Sequence, residues 1–219
     1  KNLYFTEISI GEWGDGYSFA NDLMWNMREV GIGTINNFCK AVMVWNLMLD
    51  ENHAPYRPHG CNMCLGAIDI SSKDYKTMVK NSHYYAMGHL SKVIKPGAYR
   101  IETKGMQQDG VYYTAVLNPD GTYGLVLQND TDAEVDIRVS VDEQTFKESV
   151  AKQTGMDQAM LDNMSIEQIG ESMGVPLTSF EKEVEDDDGN TVVTNCVDMR
   201  TIFAAMEASG AMTEEQILS

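Results

Sequence analysis

The chain has 219 residues, 33 of them Asp or Glu and 16 Lys or Arg, giving a formal net charge of −17. That length suits one or two domains of ordinary size, and a hydrophobic fraction of 43% is enough to build a core. The acidic balance excludes sequence-independent nucleic-acid binding, which needs Lys and Arg against phosphates, and no apolar run approaches the ~18–20 residues of a membrane span. The charge is uneven: residues 1–104 carry 11 basic and 10 acidic side chains, whereas residues 105–219 carry 5 and 23. Such asymmetry marks a change of module. No basic-then-apolar leader follows Lys1, so the start reads as a processed or truncated end.

Lys1 to Thr6 reads as a short strand whose Leu3, Tyr4 and Phe5 suit burial on both faces. It ends at Glu7 and opens into a Gly-rich, aromatic loop, Gly11-Glu12-Trp13-Gly14-Asp15-Gly16-Tyr17. A helix is expected from about Ser18 to Phe38, with Phe19, Leu23, Met27, Val30 and Ile35 on one face, and then an apolar strand from Ala41 to Leu47. Strand, helix, strand is the pattern of a βαβ unit in a parallel sheet. A loop from Leu49 to Gly66 holds Pro55, Pro58, Gly60 and the Cys61/Cys64 pair, and loops of that length are usually functional. Ala67 to Ile70 suits a short strand, and a helix is expected from about Lys73 to Val93, stopped by Pro96-Gly97.

From Tyr99 the period changes to two. Residues 99–102, 111–117, 123–128 and 135–139 read as antiparallel strands, with turns at Asn118-Pro119-Asp120-Gly121 and at Asn129 to Asp132. Beyond Phe146 the chain is Met-rich and acidic. Helical windows fall near 147–174 and 198–217, and a hairpin (180–184 with 191–197) turns at Asp187-Asp188-Gly189-Asn190.

Glu7 is the best catalytic candidate. A carboxylate at the C-terminal end of a buried parallel strand, followed by a Gly- and aromatic-rich loop, sits where α/β enzymes keep their chemistry. Trp45 and Asn46 end the next strand and should flank it: an indole stacks on the apolar face of a sugar, and an amide bonds a hydroxyl or orients a neighbour. The bland reading is a strand-end Glu capping a loop and a Trp filling core.

Leu3-Tyr4-Phe5-Thr6-Glu7, the stretch Gly31 to Phe38, Val44-Trp45-Asn46-Leu47, the stretch Gly60 to Ala67, and Tyr84 to Lys92 fall in an order that resembles glycoside hydrolase family 30. These are the glucosylceramidase-like retaining β-glycosidases. The segment Pro96 to Ile101 is similar to the family's entry into its side β-sandwich, and the resemblance covers about residues 1–140. It implies a fold class of α/β plus all-β. Residues 1–96 would be the C-terminal part of a (β/α)8 TIM barrel, residues 97–145 a small antiparallel β-sandwich, and residues 146–219 an acidic α/β tail that departs from the family.

The resemblance further implies that Glu7 is the nucleophile and that Trp45, with Asn46 and Trp13, binds substrate, a β-glucan or glucosylceramide type of β-glucoside. No cofactor or metal is implied, and a secreted or periplasmic location is. The family's acid/base lies in an Asn-Glu-Pro motif, and none occurs in this sequence. Glu12, on the following loop, is not assigned that role. A full barrel needs ~250 residues, so the missing N-terminal half of the barrel is an expected partner and the chain alone should be inactive. The competing class is a non-catalytic remnant that binds carbohydrate or protein.

Cys61 and Cys64 admit three readings. With His59 and His53 they could hold zinc; they could be a redox pair, though this one lies in a Pro/Gly loop; or they could form a local disulfide beside the substrate cleft, as the resemblance suggests. Glu7-Ile8-Ser9-Ile10-Gly11 mimics a serine-hydrolase elbow but lacks its first glycine. His83 and His89 read as helix-surface residues. Asp186 to Asn190 reads as a charged turn rather than a calcium loop, and the acidic stretch 181–188 as a solvated face. Asn129 and Asn163 begin glycosylation sequons.

Overall fold

Two parallel strands open the chain in the computed structural model, which describes residues 1–104, 108–137, 139–185 and 189–199. β1 (Leu3–Ser9) pairs with β2 (Cys39–Trp45) in a register that sets Leu3 against Cys39, Phe5 against Val42, Ile8 against Val44 and Ser9 against Trp45. Between the second and third of these pairs β1 advances three residues and β2 two. β1 therefore carries an extra residue in the Thr6–Glu7 stretch, which breaks the pleat and re-aims side chains there. The strand does not stop before Glu7, as the sequence suggests, because pairing with β2 continues to Ser9. Nor is it buried on both faces: Leu3 is 53% exposed, and the described residues supply only one neighbouring strand.

The connection between these strands is helical, as expected, but not uniform. α1 (Phe19–Trp25) widens into a π-helical stretch, Asn26–Ile32, and closes as α2 (Gly33–Asn36). The wider turn rotates the faces of α2 relative to those of α1, so the expected single stripe is interrupted. Met27, Val30 and Ile32 are buried while Phe19 stays exposed.

β3 (Met48–Leu49) runs parallel to β4 (Ile68–Ile70), which pairs antiparallel with β5 (Met78–Lys80). The helix expected from Lys73 is therefore a hairpin arm in its first part. Asp74 accepts from the N–H groups of Lys76 and Thr77 and from the Thr77 hydroxyl, and Tyr75 adopts φ 54, which no helix tolerates. These bonds hold the Asp74 carboxyl well down, to a pKa of about 2. Tyr75, Met78 and Val79 merely imitate helical spacing.

α3 (Ser82–Val93) starts only after Asn81, whose side-chain amide donates to the Gly66 carbonyl and to Asp69, and the Ser82 N–H donates to the Tyr17 hydroxyl at 2.8 Å. Its first turn carries His83, which is buried, not on the surface; His89 is exposed as expected. α3 shares a core of Met27, Ile32, Ala86 and Val126. That core rests on an antiparallel sheet of β6 (Tyr99–Ile101), β7 (Val111–Leu117) and β8 (Tyr123–Asn129). Gly124 allows the approach of β8 to α3, since a Cβ there would lie 2.5 Å from the Val93 carbonyl oxygen. Arg28 ties the π-helical stretch to the sheet, bonding Asp130 at 2.5 Å and lying over the Tyr112 ring.

The described residues form two compact units. The first holds β1 to β8 and α1 to α3, from Lys1–Thr103 with the stretches up to Pro119 and Tyr123–Asp132. The second, Asp120–Thr122 and Ala133 onward, has its own sheet in the order β10 (Ser179–Glu185), β11 (Thr191–Asp198), β9 (Ser140–Asp142), all antiparallel. The expected strand at 135–139 is not among them; the described residues there carry no ladder, and pairing begins at Ser140. The expected helical window resolves into α4 (Glu143–Thr154), α5 (Gln158–Asp162) and α6 (Ile166–Met173).

Left-handed glycines at 155 and 174 end α4 and α6, and a reciprocal Ser165–Gln168 capping box starts α6. Phe146, Val150, Leu161, Ile166, Ile169, Leu177 and Val197 are the core. The expected helix at 198–217 lies almost wholly outside the described residues, as does the acidic turn at 186–188. Among the described residues no helix is long and apolar enough to cross a membrane.

Candidate functional site

The C-terminal end of the β1–β2 pair is assembled by backbone bonds to the cysteine loop. Leu65 donates to the Ile10 carbonyl and Glu12 to the Met63 carbonyl, each at 2.8 Å, so that Gly11 bridges Cys64 antiparallel. Cys61 and Cys64 are joined as a disulfide. That takes both thiolates away from the zinc reading, and among the described residues no cluster of three His, Cys, Asp or Glu side chains could hold a metal.

Glu7 lies in the irregular stretch of β1 with its carboxylate exposed. Trp45 ends β2 opposite Ser9, two residues past Glu7, and is 50% exposed. It shares a face of β2 with Met43, also half exposed, while Val42 and Val44 on the other face are better covered. Asn46 follows across a cis peptide bond. Its carbonyl accepts from the Ala67 N–H at 2.9 Å, and its side-chain Oδ1 is buried with no hydrogen-bond partner among the described residues. Trp13 lies on the loop after β1, its ring packed on Gly11, where an added Cβ would fall 2.4 Å from a ring carbon. The register thus brings the Glu7 and Trp45 backbones to one end of adjacent strands, and the loop carries Trp13 to the same end.

Three residues near this rim have surroundings that the sequence reading does not give them: Glu12, His53 and His83. His53 Nε2 lies 3.4 Å from a Glu12 carboxylate oxygen, and its Nδ1 lies 3.1 Å from the Cys64 carbonyl. His83 is only 1% exposed, and neither ring nitrogen has a hydrogen-bond partner among the described residues. Burial pushes its pKa below the ordinary value, against the opposing pull of Asp69, the nearby Asn46 and Leu65 backbone, and Asp22. No local motif signals the Glu12–His53 pair, since its partners meet only through the fold of two loops.

Residues 97–156 match the domain described as the Glycosyl hydrolase family 30 beta sandwich domain. The chain's relatives include endo-1,6-beta-glucanases and glucosylceramidases. The endo-1,6-beta-D-glucanase neg1 of Aspergillus fumigatus is 30% identical over 115 residues, covering 50% of this chain and 23% of its own length. The lysosomal acid glucosylceramidase of Mus musculus is 23% identical over 144 residues, covering 66% of this chain and 26% of its own. Among solved structures, the endo-beta1,6-glucanase BT3312 is similar at a TM-score of 0.60 and 51% identity, over 63% of this chain and 30% of that one. The chain thus spans about a quarter of the length of these curated relatives.

Proposed function

We propose that the chain holds the nucleophile-bearing part of a retaining β-glycosidase, with residues 1–96 the end of a (β/α)8 barrel, 97–145 its side sandwich and 146–219 an added acidic tail. Glu7 attacks the anomeric carbon of a β-glucoside and forms a glycosyl-enzyme intermediate. A second carboxyl about 5–5.5 Å away protonates the leaving oxygen and then activates water. That second group comes from outside this sequence, which has no Asn-Glu-Pro. Trp45 stacks on the reacting sugar, Asn46 bonds a hydroxyl or orients a neighbour, and Trp13 contacts substrate from the loop. The substrate is a β-glucoside of the β-glucan or glucosylceramide type.

One observation carries this reading: Glu7 occupies the break in the β1 pleat beside a strand that ends on an exposed Trp45, at the end of a parallel pair. Bulges re-aim side chains at active sites, and the C-terminal ends of parallel strands are where such enzymes place their chemistry. The test joins the 219-residue chain to the upstream barrel half of a family 30 relative and treats it with a 2-fluoro-glucoside. Mass spectrometry should find the sugar covalently on Glu7, with none in Glu7→Gln, while the chain alone should hydrolyse no aryl β-glucoside. An adduct on another residue, or steady hydrolysis by the chain alone, overturns the assignment. Sugar binding without an adduct marks a non-catalytic module.

A further inference from the structure

Glu12 and His53 meet on the same rim, and the proposed mechanism leaves both unused. The turn that carries His53 is tightly built. Asp50 Oδ1 accepts from the N–H groups of Asn52 and Ala54 at 2.8 and 2.9 Å, the Asp50 N–H donates to the Ala54 carbonyl, and the His53 N–H donates to the Asp50 carbonyl. Together they hold His53 at φ 61, a left-handed conformation that costs a residue with a large side chain and is cheaper for Gly or Asn.

The ring's orientation fixes its chemistry. A carbonyl oxygen only accepts, so the Nδ1 that faces the Cys64 carbonyl carries a proton. In the neutral ring, Nε2 is then a lone pair, aimed at a carboxylate oxygen 3.4 Å away. Two acceptors facing each other make no bond, and each keeps a lone pair that a hydroxyl approaching from beside the pair can donate to. Glu12 is more than half exposed and His53 about a fifth, so a donor can reach the pair from solvent. Trp13, next in sequence to Glu12, presents an indole that is 44% exposed. The platform is rigid, because the Ile10–Glu12 backbone is bonded to the disulfide loop on both sides of Gly11.

We propose that Glu12 and His53, with the neighbouring Trp13 ring, form a hydroxyl-binding subsite for a second sugar unit of an oligosaccharide whose reacting unit lies at Glu7 and Trp45. An apolar ring takes the C–H face of a pyranose, and paired acceptors take hydroxyl donors that water would otherwise satisfy. The subsite rests on the glycosidase reading for the placement of the first sugar, but its own chemistry is separate.

The test is calorimetric titration of the 219-residue chain with two probes, methyl β-glucoside and a β-1,6-linked glucotriose. Glu12→Gln and His53→Asn should each weaken the trisaccharide about five- to tenfold, the size of one or two lost hydrogen bonds, and leave the monosaccharide unchanged. His53→Gly, which suits the left-handed backbone, guards against a folding defect and should behave as His53→Asn does. Trp45→Ala should weaken both probes. If the trisaccharide binds every Glu12 and His53 variant as it binds the wild type, the pair only braces the loop and the subsite is wrong. If those variants weaken it while Trp45→Ala and Glu7→Gln change neither probe, the subsite stands and the placement of the active site falls. Failure of the wild type to bind the trisaccharide overturns the subsite.

Discussion

His83 illustrates how one buried group can set a pH dependence. Its imidazole is enclosed in the first turn of α3, and burial outweighs the attraction of Asp69 and Asp22 for a proton on the ring. In the unfolded chain it titrates near the ordinary 6.5, whereas the folded chain accepts that proton only at lower pH. Below pH 6.5 the unfolded state therefore binds more protons than the folded one, and stability falls as pH falls; above 6.5 the contribution is constant. Urea denaturation followed by tryptophan fluorescence should show a midpoint that declines from about pH 6.5 to 5, a range in which Glu51 and Asp74, whose pKa values are lowered, stay ionised. All three tryptophans belong to the first unit, so the probe reports on the unit that holds His83. In His83→Gln the slope over that range should flatten, and an unchanged slope would rule His83 out as its source. The sequence hid this role, because a helix drawn from Lys73 makes His83 one more residue on a long surface.

At the scale of elements, the rim depends on the contact of the β1 loop with the disulfide loop, and Gly11 is where the two backbones come closest. A Cβ at Gly11 would lie 2.2 Å from the Met63 carbonyl oxygen and 2.4 Å from the Trp13 ring. Neither can retreat cheaply, since Met63 is held by the Glu12 N–H and by its place between bonded cysteines. Gly11→Ala should therefore lower stability by about 1–3 kcal/mol, the usual cost of forcing atoms into a filled site, and should shift tryptophan emission as Trp13 is displaced. A thermal melt with fluorescence detection checks both, and a variant as stable as the wild type would show that the loops separate freely.

Legibility differed between elements for physical reasons. β1, β2, β7, β8 and the β10–β11 hairpin announce themselves through apolar runs or strict alternation, and Glu7, Trp45 and Trp13 were reached from those strands. The β4–β5 hairpin did not, because Tyr75, Met78 and Val79 fall at helical intervals; the true signal was the Asp74-to-Thr77 turn, whose side chain replaces helical bonds. The 135–139 stretch alternates like a strand, yet its described residues carry no ladder, and the strand that does pair is the next three residues. The Glu12–His53 pair needs two loops folded against each other, and spacing along a chain cannot express that.

For the molecule as a whole, two opposing features govern its behaviour in solution. The β1–β2 pair carries apolar side chains in the open: Leu3, Tyr4, Met43 and Trp45 are each about half exposed. Among the described residues these two strands also leave unpaired backbone edges, which invite pairing with another chain. Against that attraction stands the net charge of −17, all of it from beyond residue 104, which keeps copies apart at low ionic strength. Salt weakens the repulsion, with a screening length of about 10 Å at 0.1 M and 3 Å at 1 M, and leaves the apolar attraction intact. The chain should therefore self-associate more as sodium chloride rises from about 0.02 to 0.5 M, as the Debye length shrinks. Sedimentation velocity at fixed protein concentration measures this directly. Met43→Lys, which puts a charge on the Trp45 face of β2, should shift the onset to higher salt or abolish it. Association that is insensitive to that substitution, or that weakens with salt, would place the contact elsewhere, on charged rather than apolar surface.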